Sequence, residues 1–191
     1  MQEIELKFLE INKEALVKKL TVKKAKKTFE GLMKVAYFDQ ADGRIKKADE
    51  LFRLRDIGNG QVEITYKANP RIKDGCKVYD ESEVLSENFE LLCQILIKAG
   101  LKRTIYYEKK RLQYEYDGVK FEIDEHPRIP VFVELEIKNS QKLDQIIKEF
   151  DLGEYETSNL SIAKLVATKY KKVKLNGLKF NKKIAKTNFI Q

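Results

Sequence analysis

Alternation of apolar and charged residues is the dominant pattern along this chain. In residues 1–10 the apolar face of a strand would carry Ile4, Leu6 and Phe8, and the opposite face would carry Glu3, Glu5 and Lys7. The same period of two predicts further strands at 32–39, 50–56, 61–67, 77–84, 103–116, 119–124 and 131–138. The pattern therefore predicts a protein built mainly from eight antiparallel strands.

Helical spacing and capping residues predict four helices between and after these strands. Their starts are predicted at Asn12, at Ser86, at Ser140, and at Ser158 or Ser161, and their ends near residues 20, 99, 150 and 170. Gly58-Asn59-Gly60 and Asp117-Gly118 predict hairpin turns. Residues 40–49 and His126 are interpreted as loop positions, and the Tyr residues 106, 107, 114 and 116 as strand packing.

Length and composition place the chain among ordinary globular proteins. Its 191 residues suit one domain, which we expect to span 1–170 and to be followed by a basic tail at 171–191. Cys93 lies in an apolar helical run, which favours a buried free thiol. The chain shows neither an apolar leader nor a stretch of about 20 apolar residues, so a cytoplasmic protein without a membrane partner is expected.

Charge carries the first functional information. The net charge of +8 and the pI near 9.2 favour anionic partners such as phosphates or nucleic acid. The polar strand faces repeat like-charge pairs at i and i+2: Glu3 and Glu5, Arg53 and Arg55, Glu81 and Glu83, Lys109 and Arg111, Glu122 and Asp124, Glu134 and Glu136. Like charges on one face repel, so each pair is easier to explain if the acidic pairs share a cation and the basic pairs an anion.

Two arrangements could accommodate these faces. One is an antiparallel sheet with its charges in water, which suits any single strand. The other is an α+β fold with a closed or nearly closed eight-stranded antiparallel β-barrel, helices outside and a charged tunnel within. The second explains the whole set of pairs. Carboxylates suit Mg²⁺ or Mn²⁺, and guanidinium groups match phosphate oxygens, so the tunnel would hold an extended polyphosphate.

The order of these motifs resembles one known family. The chain carries Glu3-Ile4-Glu5-Leu6-Lys7, Tyr37-Phe38-Asp39, Leu51-Phe52-Arg53-Leu54-Arg55, Thr65-Tyr66-Lys67, Glu81-Ser82-Glu83, Lys109-Lys110-Arg111, Glu122-Ile123-Asp124 and Val133-Glu134-Leu135-Glu136. This series, over roughly residues 1–170, resembles the CYTH, or triphosphate tunnel metalloenzyme, superfamily. The superfamily includes class IV adenylate cyclases, thiamine triphosphatases and inorganic tripolyphosphatases.

The resemblance implies a role for each charged position. Metal ligands would be Glu3, Glu5, Asp124, Glu134 and Glu136, with Glu81, Glu83 and Glu122 supporting them. Triphosphate would be bound by Lys7, Arg53, Arg55, Lys67, Lys109 and Arg111. Lys67 and Tyr37 occupy the places of a lysine–tyrosine pair proposed to activate water in hydrolytic relatives, and Arg55 is also a candidate catalytic residue.

The resemblance leaves the reaction and the substrate open. A class IV adenylate cyclase would convert ATP to cyclic AMP and pyrophosphate, whereas a triphosphatase would hydrolyse thiamine triphosphate or tripolyphosphate. A homodimer is also open by analogy. A non-catalytic phosphate- or nucleic-acid-binding module is the alternative of another class. Nucleic acid is the less expected partner, because carboxylate pairs would repel it unless a metal lies between.

Overall fold

The part of the chain that the structure describes forms one nine-stranded antiparallel sheet with five helices. The structure, a computed structural model, describes residues 4–58, 60–73, 76–137 and 142–180, with the backbone alone at 4, 72, 73 and 76–78. The strands are β1 (Ile4–Phe8), β2 (Lys26–Asp39), β3 (Leu51–Asp56), β4 (Gln61–Lys73), β5 (Cys76–Glu87), β6 (Lys102–Tyr116), β7 (Val119–His126), β8 (Ile129–Ile137) and β9 (Thr157–Ser158). The helices are α1 (Lys13–Val22), α2 (Arg44–Lys47), α3 (Phe89–Lys98), α4 (Leu143–Glu149) and α5 (Ile162–Thr168).

The strand count and the closure of the barrel differ from the prediction. The eight predicted strands are present, and a two-residue ninth, β9, pairs with Lys7 and Phe8 of β1. The hydrogen-bonded order is β5-β4-β3-β2-β6-β7-β8-β1-β9, so within the described ranges the sheet is not closed by hydrogen bonds. Strand β2 starts at Lys26, well before the predicted residue 32. The prediction missed this first part of the strand because its basic residues do not alternate with apolar ones.

The sheet is nevertheless strongly curved. Strands β4 and β1 lie six places apart in its order, which in a flat sheet would be about 29 Å at roughly 4.8 Å per strand. Over such a distance charges are screened, since the Debye length is about 8–10 Å. Yet the charge of Lys67 on β4 acts on the Glu5 carboxyl of β1, where it opposes the desolvation that raises the pKa of Glu5. The two strands therefore face each other across the inside of the curve, which we call the bore.

Apolar side chains cover the outer side of the sheet and pack under helices. Phe121, Val133 and Leu135 of β7 and β8 are buried against Leu16 and Leu20 of α1, with Ile146 of α4 in the same core. A second outer core joins β2, β3 and β4 to α3, where Cys93 is a buried free thiol as predicted. Helices outside and apolar residues beneath them confirm this part of the predicted architecture.

One end of the bore is filled by apolar residues. Val166 of α5, together with Leu175 and Leu178, packs against Val35 and Tyr107 on the inner faces of β2 and β6. Beside this cluster, Leu165 of α5 packs on Leu9 and Phe132. Because α5 and the chain after it occupy the inner face here, this end of the bore is blocked.

The helix caps agree in part with the sequence. Asn12 caps α1, its Oδ1 accepting from the N–H of Ala15 at 3.0 Å, and Ser161 caps α5 through Lys164. Helix α3 starts later than predicted, because Asn88 and not Ser86 provides its cap. The short helix α2 lies within the predicted loop 40–49, where Asp39 accepts hydrogen bonds from the N–H groups of its first turn.

Two further predictions met different outcomes. Asp117-Gly118 forms the predicted hairpin turn, with φ of 47° and 74°. His126 is not a loop residue: it ends β7 and is buried, with 5% of its surface exposed.

Asn59, Ser140 and Glu3 lie outside the described residues. In the part of the chain that the structure describes, no helix is long and apolar enough to span a bilayer.

The start of the expected tail belongs to the fold. The Glu108 N–H donates to the Leu178 carbonyl at 2.8 Å, and the Gly177 N–H donates to the Tyr106 carbonyl at 2.7 Å. The Tyr106 N–H donates to Oδ1 of Asn176 at 2.9 Å. Strand β7 pairs with residues 110–116 of β6. Residues 176–178 therefore lie along the preceding part of β6, which β7 does not cover. They extend the sheet locally.

Candidate functional site

The bore is lined by the charged strand faces that the sequence singled out. Strand alternation puts Glu5 and Lys7 of β1, Glu134 and Glu136 of β8, Glu122 and Asp124 of β7, Lys109 and Arg111 of β6, Arg53 and Arg55 of β3, and Glu63, Thr65 and Lys67 of β4 on one side of the sheet. Several are almost fully buried, including Lys7, Lys109, Arg111 and Asp124. Charges buried on this scale require mutual pairing or ligands.

A compact ion-pair cluster joins β6 and β7. Arg111 donates from Nε to Oδ1 of Asp124 and from one terminal nitrogen to Oδ2, both at 2.7 Å. Lys109 Nζ lies 2.8 Å from the same Oδ2, and Arg111 also pairs with Glu122. Both oxygens of Asp124 are thus engaged by cations. This side chain, predicted as a metal ligand, orients the two basic groups in the structure.

Burial and neighbouring charge shift the pKa values in this cluster. Burial favours neutral Asp124, but the charges of Arg111 and Lys109 outweigh it and hold the carboxyl pKa far below its usual range. For Lys109, burial and then the Arg111 charge lower the pKa to about 8, against the attraction of Asp124. Lys109 is therefore a cation that can lose its proton near neutral pH.

A second basic pair lies on β3. Arg53 reaches Glu63 and the Thr65 hydroxyl, each at 3.2 Å, and Arg55 pairs with the same Glu63 carboxylate. One carboxylate thus faces two guanidinium groups, so the pair keeps excess positive charge. Thr65 is fully buried and also donates to Glu83 at 3.2 Å. The predicted supporting position Glu83 is brought to this side of the bore.

Carboxylates gather on β1 and β8. The register sets Glu5 opposite Glu136 and Lys7 opposite Glu134, and on the next strand Glu122 stands opposite Glu134. Lys7 pairs with Glu134, and Lys120 with Glu136. Although Glu5 is exposed, desolvation of its carboxyl and repulsion by Glu134 raise its pKa. Like charges are therefore only partly balanced here.

This acidic side fits a divalent cation by the chemistry of its donors. Oxygen ligands suit Mg²⁺ or Mn²⁺, and a cation would relieve the repulsion that raises the pKa of Glu5. Among the described residues, no group of three or more acidic, His or Cys side chains is already arranged as a metal site. The predicted ligand Glu3 lies outside those residues. The family resemblance thus implies a cation that the described side chains would have to reorganise to hold.

The two residues of the predicted water-activating pair have different partners in the structure. Lys67 of β4 pairs with Glu81 of β5 at 3.0 Å, whereas the Tyr37 ring of β2 stacks on Tyr107, with centroids 6.4 Å apart. Strand β3 separates β2 from β4, and Tyr37 stands opposite Arg53 in the register. The structure thus places Lys67 near the acidic side, where it acts on Glu5, and Tyr37 near the blocked end.

Buried nitrogens without partners also mark the bore. In the described ranges, the buried side-chain polar atoms that lack a hydrogen-bond partner are Nε of Arg53, Nε of Arg55, and both ring nitrogens of His126. Leaving such a group unsatisfied costs about 1–3 kcal/mol. The sequence pattern gave His126 only a loop position, although its place two residues after Asp124 puts it on the bore-facing side of β7.

Comparisons with known proteins agree with this geometry. The CYTH domain family matches residues 1–164. A putative adenylate cyclase of Methanocaldococcus jannaschii is 32% identical over 154 residues, which are 78% of this chain and 85% of that protein.

Solved structures share the fold. A putative adenylate cyclase from Vibrio parahaemolyticus has a TM-score of 0.68 at 15% identity, over 86% of this chain and 97% of that one. A putative adenylyl cyclase from Hippeastrum, described as having a dominant triphosphatase activity, has a TM-score of 0.62 at 15% identity, over 86% and 94%. With the motifs, the bore and the family match in agreement, this chain belongs to the CYTH domain family.

Proposed function

We propose that this protein binds a triphosphate in the bore and cleaves it with the help of a divalent cation. The observation that carries the proposal is the division of the bore into two sides. Carboxylates of β1 and β8 face the basic residues of β3, β4 and β6, and Lys67 is close enough for its charge to act on the Glu5 carboxyl. Such a division suits a phosphate chain that touches a metal on one side and cations on the other.

The cation would be held by Glu5, Glu134 and Glu136, together with Glu3, which precedes Glu5 by two positions in the sequence. When bound, Mg²⁺ or Mn²⁺ would neutralise charge on the phosphoryl oxygens and so lower the barrier to cleavage. Lys7 and Lys120 now pair with Glu134 and Glu136 and would turn toward phosphate when a cation takes over these carboxylates. Asp124 has a different role in this proposal, because Arg111 and Lys109 already occupy its oxygens.

Phosphate would be held chiefly by the buried basic groups. Arg111 is fixed by Asp124, so its remaining donors are presented without further loss of side-chain freedom. Arg53 and Arg55 keep an unpartnered Nε each, which a phosphate oxygen would satisfy. Lys7, Lys67 and Lys109 add positive charge along the same path. These fixed donors orient the phosphate chain and stabilise the charge that develops as its bond breaks.

Two reactions would use this arrangement. A cyclase-like reaction on ATP, giving cyclic AMP and pyrophosphate, is our first assignment because the named relative is a putative adenylate cyclase. Hydrolysis of thiamine triphosphate or tripolyphosphate is the second, supported by the triphosphatase activity described for the Hippeastrum neighbour. In hydrolysis, Lys67 would orient a water near the acidic side, with Tyr37 as its proposed partner.

Product analysis tests the proposal. The protein is incubated with Mg²⁺ or Mn²⁺ and, separately, with ATP, thiamine triphosphate and tripolyphosphate. Cyclic AMP with pyrophosphate would support cyclisation, and orthophosphate would support hydrolysis. Glu136→Gln should lower turnover at least tenfold, while the matched change of an exposed carboxylate, Glu154→Gln, should leave it unchanged. Binding of tripolyphosphate without turnover of any of the three would favour a non-catalytic phosphate-binding module instead.

A further inference from the structure

His126 is a polar residue in the bore to which neither the motifs nor the proposed reaction assigns a role. Both of its ring nitrogens are buried and have no hydrogen-bond partner. The other buried unpartnered side-chain atoms in the described ranges belong to Arg53 and Arg55, which we have placed in the phosphate path. His126 thus resembles Arg53 and Arg55, which we propose bind phosphate, in having buried nitrogens without a hydrogen-bond partner.

The position of the ring is fixed by its neighbours. The imidazole stacks on Phe132, with centroids 5.4 Å apart and planes 16° apart, and it packs against Tyr107 at 5.6 Å. Phe132 and Tyr107 themselves pack against the residues that block the end of the bore. The ring therefore lies where the charged part of the bore meets its blocked end.

Two cationic donors lie next to the ring. His126 follows Asp124 by two residues on the same face of β7, and Asp124, Lys109 and Arg111 are the charges that act on the imidazole. Asp124 and Glu122 balance the charges of Lys109 and Arg111, and a phosphate group could accept from both cations beside the ring. Burial keeps the imidazole neutral, with its pKa lowered to about 3, so the ring offers one N–H donor and no charge.

We propose that the N–H of His126 binds the outermost phosphate group of the ligand, at the blocked end of the bore beside Lys109 and Arg111. This inference rests on the proposed function, because it assumes that the bore takes a phosphate chain. The ligand class is a chain with an unesterified terminal phosphate, whose oxygens can accept from the imidazole and both cations. Its organic group, where one exists, would then lie toward the other end.

The competing explanation is that His126 is only a packing residue. A flat ring between Phe132 and Tyr107 fills space whether or not its nitrogens are used. If packing were its only role, phenylalanine at this position would pack equally well, and it would leave no buried polar group without a partner. The two explanations therefore differ in what His126→Phe does to phosphate binding, while both permit unchanged or higher thermal stability.

Because His126 is the single histidine of the chain, its ring can be observed alone. Full-length protein without a histidine tag is labelled with ¹⁵N-histidine and titrated with tripolyphosphate, first alone and then with Mg²⁺. Calorimetry on the same samples measures the affinity. We expect the ring nitrogen resonances to shift as the site fills, and the exchange of the ring N–H with water to slow.

The variant supplies the second measurement. His126→Phe should bind tripolyphosphate about tenfold more weakly, as expected for the loss of one hydrogen bond to a charged acceptor, with a melting temperature no lower than that of the unchanged protein. Unchanged ring resonances in a protein shown to bind tripolyphosphate, or equal affinity in His126→Phe, would overturn this inference and leave the proposed function standing. No binding of tripolyphosphate to the unchanged protein would overturn both.

Discussion

Nζ of Lys109 lies 2.8 Å from Oδ2 of Asp124, and both side chains are buried. The pair does not act alone, since Arg111 engages the same carboxylate through two nitrogens. Two cations thus share one carboxylate, and Arg111 also pairs with Glu122. The dependence of both cations on Asp124 leads to the first two predictions.

Phosphate binding should weaken as pH rises through about 8, where the pKa of Lys109 lies. Below that pH Lys109 is charged. Above it, Lys109 must take up a proton when the ligand binds, which lowers the affinity up to about tenfold per pH unit. Calorimetry with tripolyphosphate at pH 7 and pH 9 checks this. The protonation of tripolyphosphate itself changes with pH in the same way whichever variant binds it. A comparison with Lys109→Arg therefore isolates the contribution of the Lys109 proton. If the affinity of Lys109→Arg falls as steeply as that of the unchanged protein, Lys109 is not the group responsible.

Asp124→Asn should destabilise the fold by about 3–5 kcal/mol, because it leaves Lys109 and Arg111 buried with Glu122 as the one remaining carboxylate of the cluster. Urea unfolding followed by circular dichroism measures the difference. The matched control is Asp151→Asn, which removes the exposed partner of Lys19 and should cost less than about 1 kcal/mol. Equal costs for the two changes would show that burial of the Asp124 cluster is not what makes it stabilising.

Divalent cations should stabilise the protein through Glu5. Its pKa is raised by desolvation and by Glu134, and a cation would remove that repulsion. We expect Mn²⁺ at a hundredfold excess over its dissociation constant to add about 2.7 kcal/mol of stability. Glu5→Gln should lose most of this gain, and Glu154→Gln should keep it. A gain of the same size in all three proteins would place the cation elsewhere.

Leu178 should be as important to stability as a core residue, although it lies beyond the family match, which ends at residue 164. Its side chain is 1% exposed within the cluster that blocks the bore. Leu178→Ala should cost about 2–5 kcal/mol, whereas Leu91→Ala, at a half-exposed position of α3, should cost well under half as much. Urea midpoints measure both. Similar small costs would mean that residues 171–180 are only a loose extension of the fold.

The sequence predicted those features that depend on local pattern. Strand alternation identified the faces that line the bore, Asn12 and Ser161 identified two helix starts, and Asp117 with Gly118 identified a hairpin. Each depends on neighbours within a few positions, so each could be seen in one stretch of sequence.

What the sequence did not predict depends on distant partners. Nothing near Leu175 and Leu178 indicates that they would be buried against β2 and β6. The engagement of Asp124 by Arg111 depends on the register of β6 with β7, which no short stretch of sequence shows. His126 precedes a proline and so resembled a loop residue, but the strand continues up to it. Tertiary packing decided each of these.

The packing of α5 and residues 175–178 into one end of the bore has a kinetic consequence. A bore blocked at one end has a single entrance, so a cleaved ligand must leave in order, with the fragment nearest the entrance first and the deepest fragment last. The retained fragment would then occupy the site against the next substrate molecule. On the proposed function, the deepest product should therefore be a competitive inhibitor of the triphosphate, and the other product should not.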